Sequence, residues 1–255
     1  MKSCLDSGWA VPLVITTPDR PKGRGLKLQP TPVKVFAAQK GLRVESPDTL
    51  NSPAFQEEVV RLKPDLFVVS SYGKIIPVSW LKIPAFLALN IHPSLLPRHR
   101  GASPMQWAIL NGDSETGLTI FEVTDKLDSG DIFFQSRIPL DDKINAVDLS
   151  RQLADLSYSA LQEVLGQIKG NRLKRIPQDD SKSSYARKLK KEDGRICWTD
   201  PALKIHNQVR GLVPWPTAHT RLANEWIQIL AASVDAGCYP DAGSGEILEI
   251  RHQGS

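Results

Sequence analysis

Asn90 and His92 stand two residues apart in 87–92 (LALNIH), a short apolar run that reads as a buried strand. Side chains at i and i+2 of a strand share a face, so this pair projects together while Ile91 turns into the core. Ligands of an open α/β sheet bind beyond the carboxyl ends of its strands. The pair falls there, just ahead of the Pro93-Ser94-Leu95-Leu96-Pro97 loop. A carboxamide beside an imidazole can stabilise an oxyanion and move a proton. A third group, Asp128, lies in the turn Leu127-Asp128-Ser129-Gly130-Asp131. A carboxylate near His92 would orient and charge the imidazole, or polarise a water. Both elements also have plain structural readings: Asn and His can cap a strand end, and Asp, Ser and Gly are ordinary turn residues. As a set without a Ser or Cys nucleophile, they suit direct transfer of a small acyl group to an amine.

Other chemistries find no support. GRGLKL at 23–28 lacks the third glycine of a dinucleotide fingerprint, and 112–118 has no Lys-Ser/Thr to make a phosphate loop. His92, His99, His206, His219 and His252 show no metal-binding spacing, so no metal is expected. The GxSxG nucleophile elbow is missing. Cys4, Cys197 and Cys238 are odd in number and far apart, which argues for a reducing compartment rather than a disulfide scaffold. No apolar run reaches the roughly 18–20 residues of a membrane span, and residues 1–5 lack the apolar core of a signal peptide.

The elements that must position the trio alternate in type. Residues 11–17 (VPLVITT) read as a buried strand, 18–32 as a Pro, Gly and Lys/Arg loop, and 33–40 as a helix closed by Gly41. A short strand at 42–45 is followed by a helix through Phe55, Val59, Val60 and Leu62, and then by strands at 66–70 and 87–92. A short helix at 104–110 leads into two alternating runs, 118–123 and 132–138, which read as a hairpin. A long amphipathic helix spans 146–168, with Leu149, Leu153, Leu156, Leu161, Leu165 and Ile168 on one stripe. This alternation predicts an α/β fold with a mostly parallel sheet flanked by helices. The hairpin would extend that sheet. Residues 171–191 are polar and basic and read as a linker; a helix at 201–212 and strands at 218–222, 226–231 and 247–250 then predict a small β-rich second domain. The predicted division is 1–170, 171–191 and 192–255.

Of 255 residues, 41% are hydrophobic and 24% charged, ordinary for a soluble globular protein of one to two domains. The net charge of +4 is unevenly distributed. Residues 18–34 carry five basic side chains against Asp19, and 169–191 carry nine against Asp179 and Asp180. Everything else therefore leans acidic. Charge runs are usually solvated faces.

The run Asn90-Ile91-His92-Pro93-Ser94-Leu95-Leu96-Pro97-Arg98-His99-Arg100-Gly101-Ala102-Ser103-Pro104, with LDSGD at 127–131, resembles the formyltransferases that use 10-formyltetrahydrofolate. Residues 18–34 (PDRPKGRGLKLQPTPVK), Tyr185-Ala186-Arg187-Lys188-Leu189 and 209–216 (VRGLVPWP) are similar to the branch acting on methionyl-tRNA. The resemblance implies a Rossmann-like catalytic domain followed by an OB-like barrel. It assigns Asn90, His92 and Asp128 as the catalytic trio. It places the donor, 10-formyltetrahydrofolate, against Lys74, Ile75, Ile76, Ser94, Leu95, Leu96 and Pro97, where single apolar residues could equally be plain core. The amino group of methionine on initiator tRNA would attack the formyl carbon, with the oxyanion held by Asn90 and protonated His92 and the amine proton removed with help from Asp128. Arg20, Lys22, Arg24, Lys27, Arg187, Lys188, Lys190 and Lys191 would meet the tRNA, Arg24 reaching its acceptor end.

The same resemblance implies a bacterial-like cytoplasmic protein, with an organellar setting left open, and a monomer. Family members open on a strand and a Gly-containing turn and continue past residue 255, so the chain is expected to be cut at both ends. A missing inner strand would leave exposed edges and low stability. A cooperative melt at about 45–65 °C would refute that expectation. Three rivals remain: a 10-formyltetrahydrofolate hydrolase domain, a sugar-amine formyltransferase, and a non-catalytic RNA-binding remnant.

Overall fold

The computed structural model describes residues 1–22, 27–235, 237 and 242–247. Helix α1 (Lys2–Asp6) precedes strand β1 (Val14–Ile15), and a small antiparallel hairpin, β2 (Arg20–Lys22) and β3 (Lys27–Gln29), rises from the segment expected to be a loop. Helix α2 (Pro32–Gln39) starts on Thr31, whose hydroxyl accepts from the Lys34 amide. Strand β4 (Val44–Glu45) pairs in parallel with β1, and helix α3 (Pro53–Arg61), capped by Ser52, leads to β5 (Leu66–Val69). After the short helix α4 (Val78–Leu81), strand β6 (Leu87–His92) pairs in parallel with β5.

The two-residue strand β7 (Arg100–Gly101) and helix α5 (Pro104–Leu110) come before the hairpin β8 (Glu115–Glu122) and β9 (Ile132–Pro139). That hairpin adds antiparallel strands to β6, giving a four-stranded sheet in the order β5-β6-β8-β9. The fold is α/β: β1·β4 and β5·β6 are parallel pairs of the amino-terminal half, and the hairpin extends the second of them.

Helix α6 (Ala146–Lys169) is held at its start by Asn145, whose side chain accepts from the Val147 and Asp148 amides. Its buried stripe, including Leu149, Leu153, Leu161 and Leu165, packs with Leu89, Ile109, Leu118 and Ile120 into the main core. Leu156 and Ile168 lie at the edge of that core, half-buried. Fully burying one such leucine stabilises by about 1.5–3 kcal/mol, so the stripe holds the helix against the sheet.

Residues 171–191 are not a free connector. Ile176 bridges Ile132, a 3-10 turn covers Asp180–Lys182, and β10 (Tyr185–Ala186) pairs in parallel with β7. Helix α7 (Ala202–Gly211) lies against α5; the buried Arg210 donates to the carbonyls of Asp141 and Ile144 and to Asn207. Strands β11 (Ala218–Leu222) and β12 (Glu225–Ile229) form a hairpin, and among the described residues no closed barrel is present. The strand expected at 247–250 falls outside the described residues except for Ile247, which is not in a strand. Among the described residues, no helix is long and apolar enough to cross a membrane.

Candidate active site

Strand β6 presents Asn90 and His92 on one face at its carboxyl end, in register with Phe121 and Thr119 of β8. His92 is only 4% exposed, and its ring meets Phe121 edge-on at 6.2 Å. Nε2 lies 2.9 Å from the His99 carbonyl oxygen. A carbonyl only accepts, so Nε2 carries the hydrogen and the neutral ring keeps its lone pair on Nδ1. That nitrogen faces Asp128 Oδ2 at 3.7 Å. Burial pushes the imidazole below its ordinary value, against the opposing pull of the Asp128 carboxylate and the His99 carbonyl. The resting ring is therefore neutral.

Asp128 sits in the β8–β9 connection with a left-handed backbone, φ 47°. Its Oδ2 accepts from the Gly101 amide at 2.8 Å, so strand β7 and the turn fix the carboxylate from two sides. Glycine is required on both. Gly101 has φ 118°, and a Cβ there would stand 2.6 Å from the Ala186 carbonyl; one at Gly130 would stand 2.0 Å from the Glu122 carbonyl. The Asn90 carboxamide makes no hydrogen bond among the described residues, which leaves its donor available.

Five residues that support the trio, Thr119, Gln135, His99, Asp113 and Ser184, carry no obvious chemical signal in the sequence. Thr119, fully buried, donates to the Ser94 carbonyl at 2.6 Å and accepts from the Leu96 amide and from Gln135. Gln135 also donates to the Leu96 carbonyl. A polar residue between Leu118 and Ile120 was the available hint. His99, with φ 59°, is held by Asp113 at 2.6 Å through its ring and by the Ser184 hydroxyl through its amide. Replacing Thr119 with Val orphans the Ser94 carbonyl and weakens the hold on Leu96, at about 1–3 kcal/mol. Chemical denaturation should register that loss; an unchanged midpoint would show the loop anchored elsewhere.

The other expected site residues are spread more widely. Ser94, Leu95 and Leu96 are buried, Ser94 giving its hydroxyl to the Arg98 carbonyl, and Pro97 is half-buried. Lys74 donates to the carbonyls of Pro47 and Asp48. Ile76 packs beside Trp80, whereas Ile75 is 92% exposed. Lys74 thereby ties the segment bearing Tyr72 to the one bearing Ser46, and the buried hydroxyls of both lack partners. Orphaned hydroxyls beside an apolar cluster suit a ligand with polar edges on a flat ring.

Among the basic residues, Arg20 and Lys27 are exposed on the β2–β3 hairpin, Lys22 lies in β2, and Arg24 lies outside the described residues. Arg187 is engaged within the chain: it forms a two-point pair with Asp193 at 2.8 and 2.5 Å and lies 4.8 Å over the Trp107 ring. Lys188, Lys190 and Lys191 are exposed.

A buried base, a free amide donor and a fixed carboxylate at one strand end could deprotonate an amine and steady an oxyanion. The formyl transferase family model matches residues 1–165, and that of the formyl transferase C-terminal domain matches residues 188–255. The chain belongs to the formyltransferase family. The methionyl-tRNA formyltransferase of Geobacter sulfurreducens is 41% identical over 255 residues, 100% of this chain and 79% of that protein. That of Pelobacter propionicus is 41% identical over 237 residues, 93% of this chain and 74% of its own. Among solved structures, HypX from Aquifex aeolicus in complex with tetrahydrofolic acid aligns with TM-score 0.61 at 21% identity, over 76% of this chain and 34% of that one. A 4-N formyltransferase from Francisella tularensis aligns with TM-score 0.66 at 19% identity, over 80% and 84% of the two chains. At such identity the two structures speak for the formyltransferase fold alone. Residues 166–187, which cross the site, lie between the two matched family segments.

Proposed function

We infer that this formyltransferase moves a formyl group from 10-formyltetrahydrofolate to the amino group of methionyl initiator tRNA, the step that prepares it for translation initiation. The observation that carries the reading is the 41% identity to a methionyl-tRNA formyltransferase along the whole chain, joined to a site whose groups suit acyl transfer to an amine. In that site His92 Nδ1 takes the amine proton, the Asn90 carboxamide donates to the developing oxyanion, and Asp128 stabilises the imidazolium, which gives the proton to N10 as the bond from the formyl carbon to N10 breaks and tetrahydrofolate leaves. The donor lies along Lys74, Ile75, Ile76 and the Ser94–Pro97 loop, where the orphaned Tyr72 and Ser46 hydroxyls support the assignment.

The tRNA meets the β2–β3 hairpin, Arg24, and the strip around Lys188, Lys190 and Lys191; Arg187, locked onto Asp193, orders that strip more than it binds RNA. Neutralising the three lysines should weaken tRNA binding uniformly across sequences. It should also lower the salt dependence of log K by about one for each phosphate left without its lysine. Filter binding at several salt concentrations reads this directly, and an unchanged slope would remove the strip from the interface. The wider reading keeps 1–170 as the catalytic domain, 171–191 as the basic connection and 192–255 as part of a small OB-like barrel, in a cytoplasmic monomer.

The deciding test incubates the chain with 10-formyltetrahydrofolate and methionyl-tRNA and measures formylmethionine and free formate together. Formylmethionine is expected. Formate alone would make the protein a hydrolase, and salt-sensitive tRNA binding with neither product would make it a binding remnant. A sugar amine as acceptor is not favoured, since the structural likeness to sugar N-formyltransferases rests on 18–22% identity.

A further inference from the structure

We infer that Gln178 is a positioning residue that sets the Asp128 carboxylate against His92, a role that rests on the reading of Asp128 given above. Gln178 belongs to the strip that bridges Ile132 at one end and pairs with β7 at the other. Its carboxamide is fully used. Nε2 donates to the carbonyls of Asp128 at 3.0 Å and Gly130 at 2.8 Å. Oε1 accepts from Arg100 Nε at 3.2 Å and from its terminal nitrogen at 2.7 Å. Two donors and an acceptor on one rigid plane are what an amide offers and neither a carboxylate nor an ammonium can.

The two segments joined this way are the two that locate the carboxylate. Asp128 carries a left-handed backbone, φ 47°, a conformation that is strained for a non-glycine residue and persists only when its surroundings enforce it. Its Oδ2 is held by the amide of Gly101, the residue after Arg100. One amide thus fixes the turn and its counterpart strand relative to each other, and with them the 3.7 Å separation between Oδ2 and His92 Nδ1. Arg100 has a second partner in Asp180, so loss of Gln178 frees the turn more than it frees the arginine.

The test uses the full chain with Gln178→Leu and Gln178→Met, uncharged replacements without donors, beside Asp128→Asn. NMR titration of the His92 ring reads the carboxylate's influence without any turnover, and steady-state formylation of methionyl-tRNA reads its effect on rate. Asp128→Asn removes a charge that favours the imidazolium, so His92 should titrate at lower pH; both Gln178 variants should move it in the same direction. They should also lose about ten- to a hundredfold in kcat, the scale of a misplaced group, with KM for tRNA within about twofold. In the Asp128→Asn background, Gln178→Leu should add nothing further to the titration shift.

If Asp128→Asn moves the titration and both Gln178 variants leave it in place, Gln178 is structural and the inference falls while the Asp128 reading stands. Loss of the fold in both Gln178 variants would overturn the inference in the same way. If Asp128→Asn itself moves neither titration nor kcat, the Asp128 reading fails and takes Gln178 with it.

Discussion

Replacing His92 with Gln is expected to lower kcat/KM for formyl transfer by about two to four orders of magnitude, the range for loss of a positioned general base. Gln is close in size and can still donate to the His99 carbonyl, so the change removes the proton acceptor and little else. The pH profile supplies the sign. On the proposed mechanism a neutral imidazole is the active form, and burial holds it below its ordinary value of about 6.5. Activity should therefore be full at neutral pH, persist below pH 6.5, and fall only as the buried ring protonates. That acidic limb should vanish in the variant. Rates measured across pH on both proteins decide it: a loss under tenfold with the limb intact would move the base elsewhere.

Asn90→Ala should cost on the order of a hundredfold or more in kcat with little change in KM, the signature of a donor used in the transition state. The reason it should be separable from stability is structural. Among the described residues the Asn90 carboxamide binds nothing within the chain, so no internal partner is orphaned when it goes. A change of only about 0.5 kcal/mol in folding free energy is expected. Single-turnover formylation, with a denaturation curve of the same preparation, reads both quantities. If kcat holds while stability drops, Asn90 is a strand-end structural residue after all.

Much of this arrangement is legible in local sequence because local physics produces it. The apolar run 87–92 becomes β6 with the expected boundaries, and the i, i+2 rule alone puts Asn90 and His92 on one face. Pro104 starts α5 and Asn111-Gly112 ends it, as the chain's own punctuation requires. The stripe through 146–168 becomes α6 for the same reason. Residues 171–191 are the opposite case. They have no apolar period, so they read as a linker, yet Arg100 and Ala102 donate to the carbonyls of Ser184 and Ala186, and the Ser184 amide donates to that of Pro97. Backbone bonds between residues more than eighty apart leave no trace in side-chain spacing. Charge misleads similarly at Arg187, which counts toward a basic patch but spends its guanidinium on Asp193.

The pairing of β7 with β10 also bears on how the polypeptide can be divided. Counting from sequence, the catalytic half closes where α6 ends, near Gly170. The hydrogen bonds tie the next sixteen residues, as far as Ala186, onto that half, since Ile176, Gln178 and Ser184 bond to Ile132, Asp128 and His99. A fragment meant to preserve the site must therefore carry this strip along, even though the strip belongs by position to whatever follows.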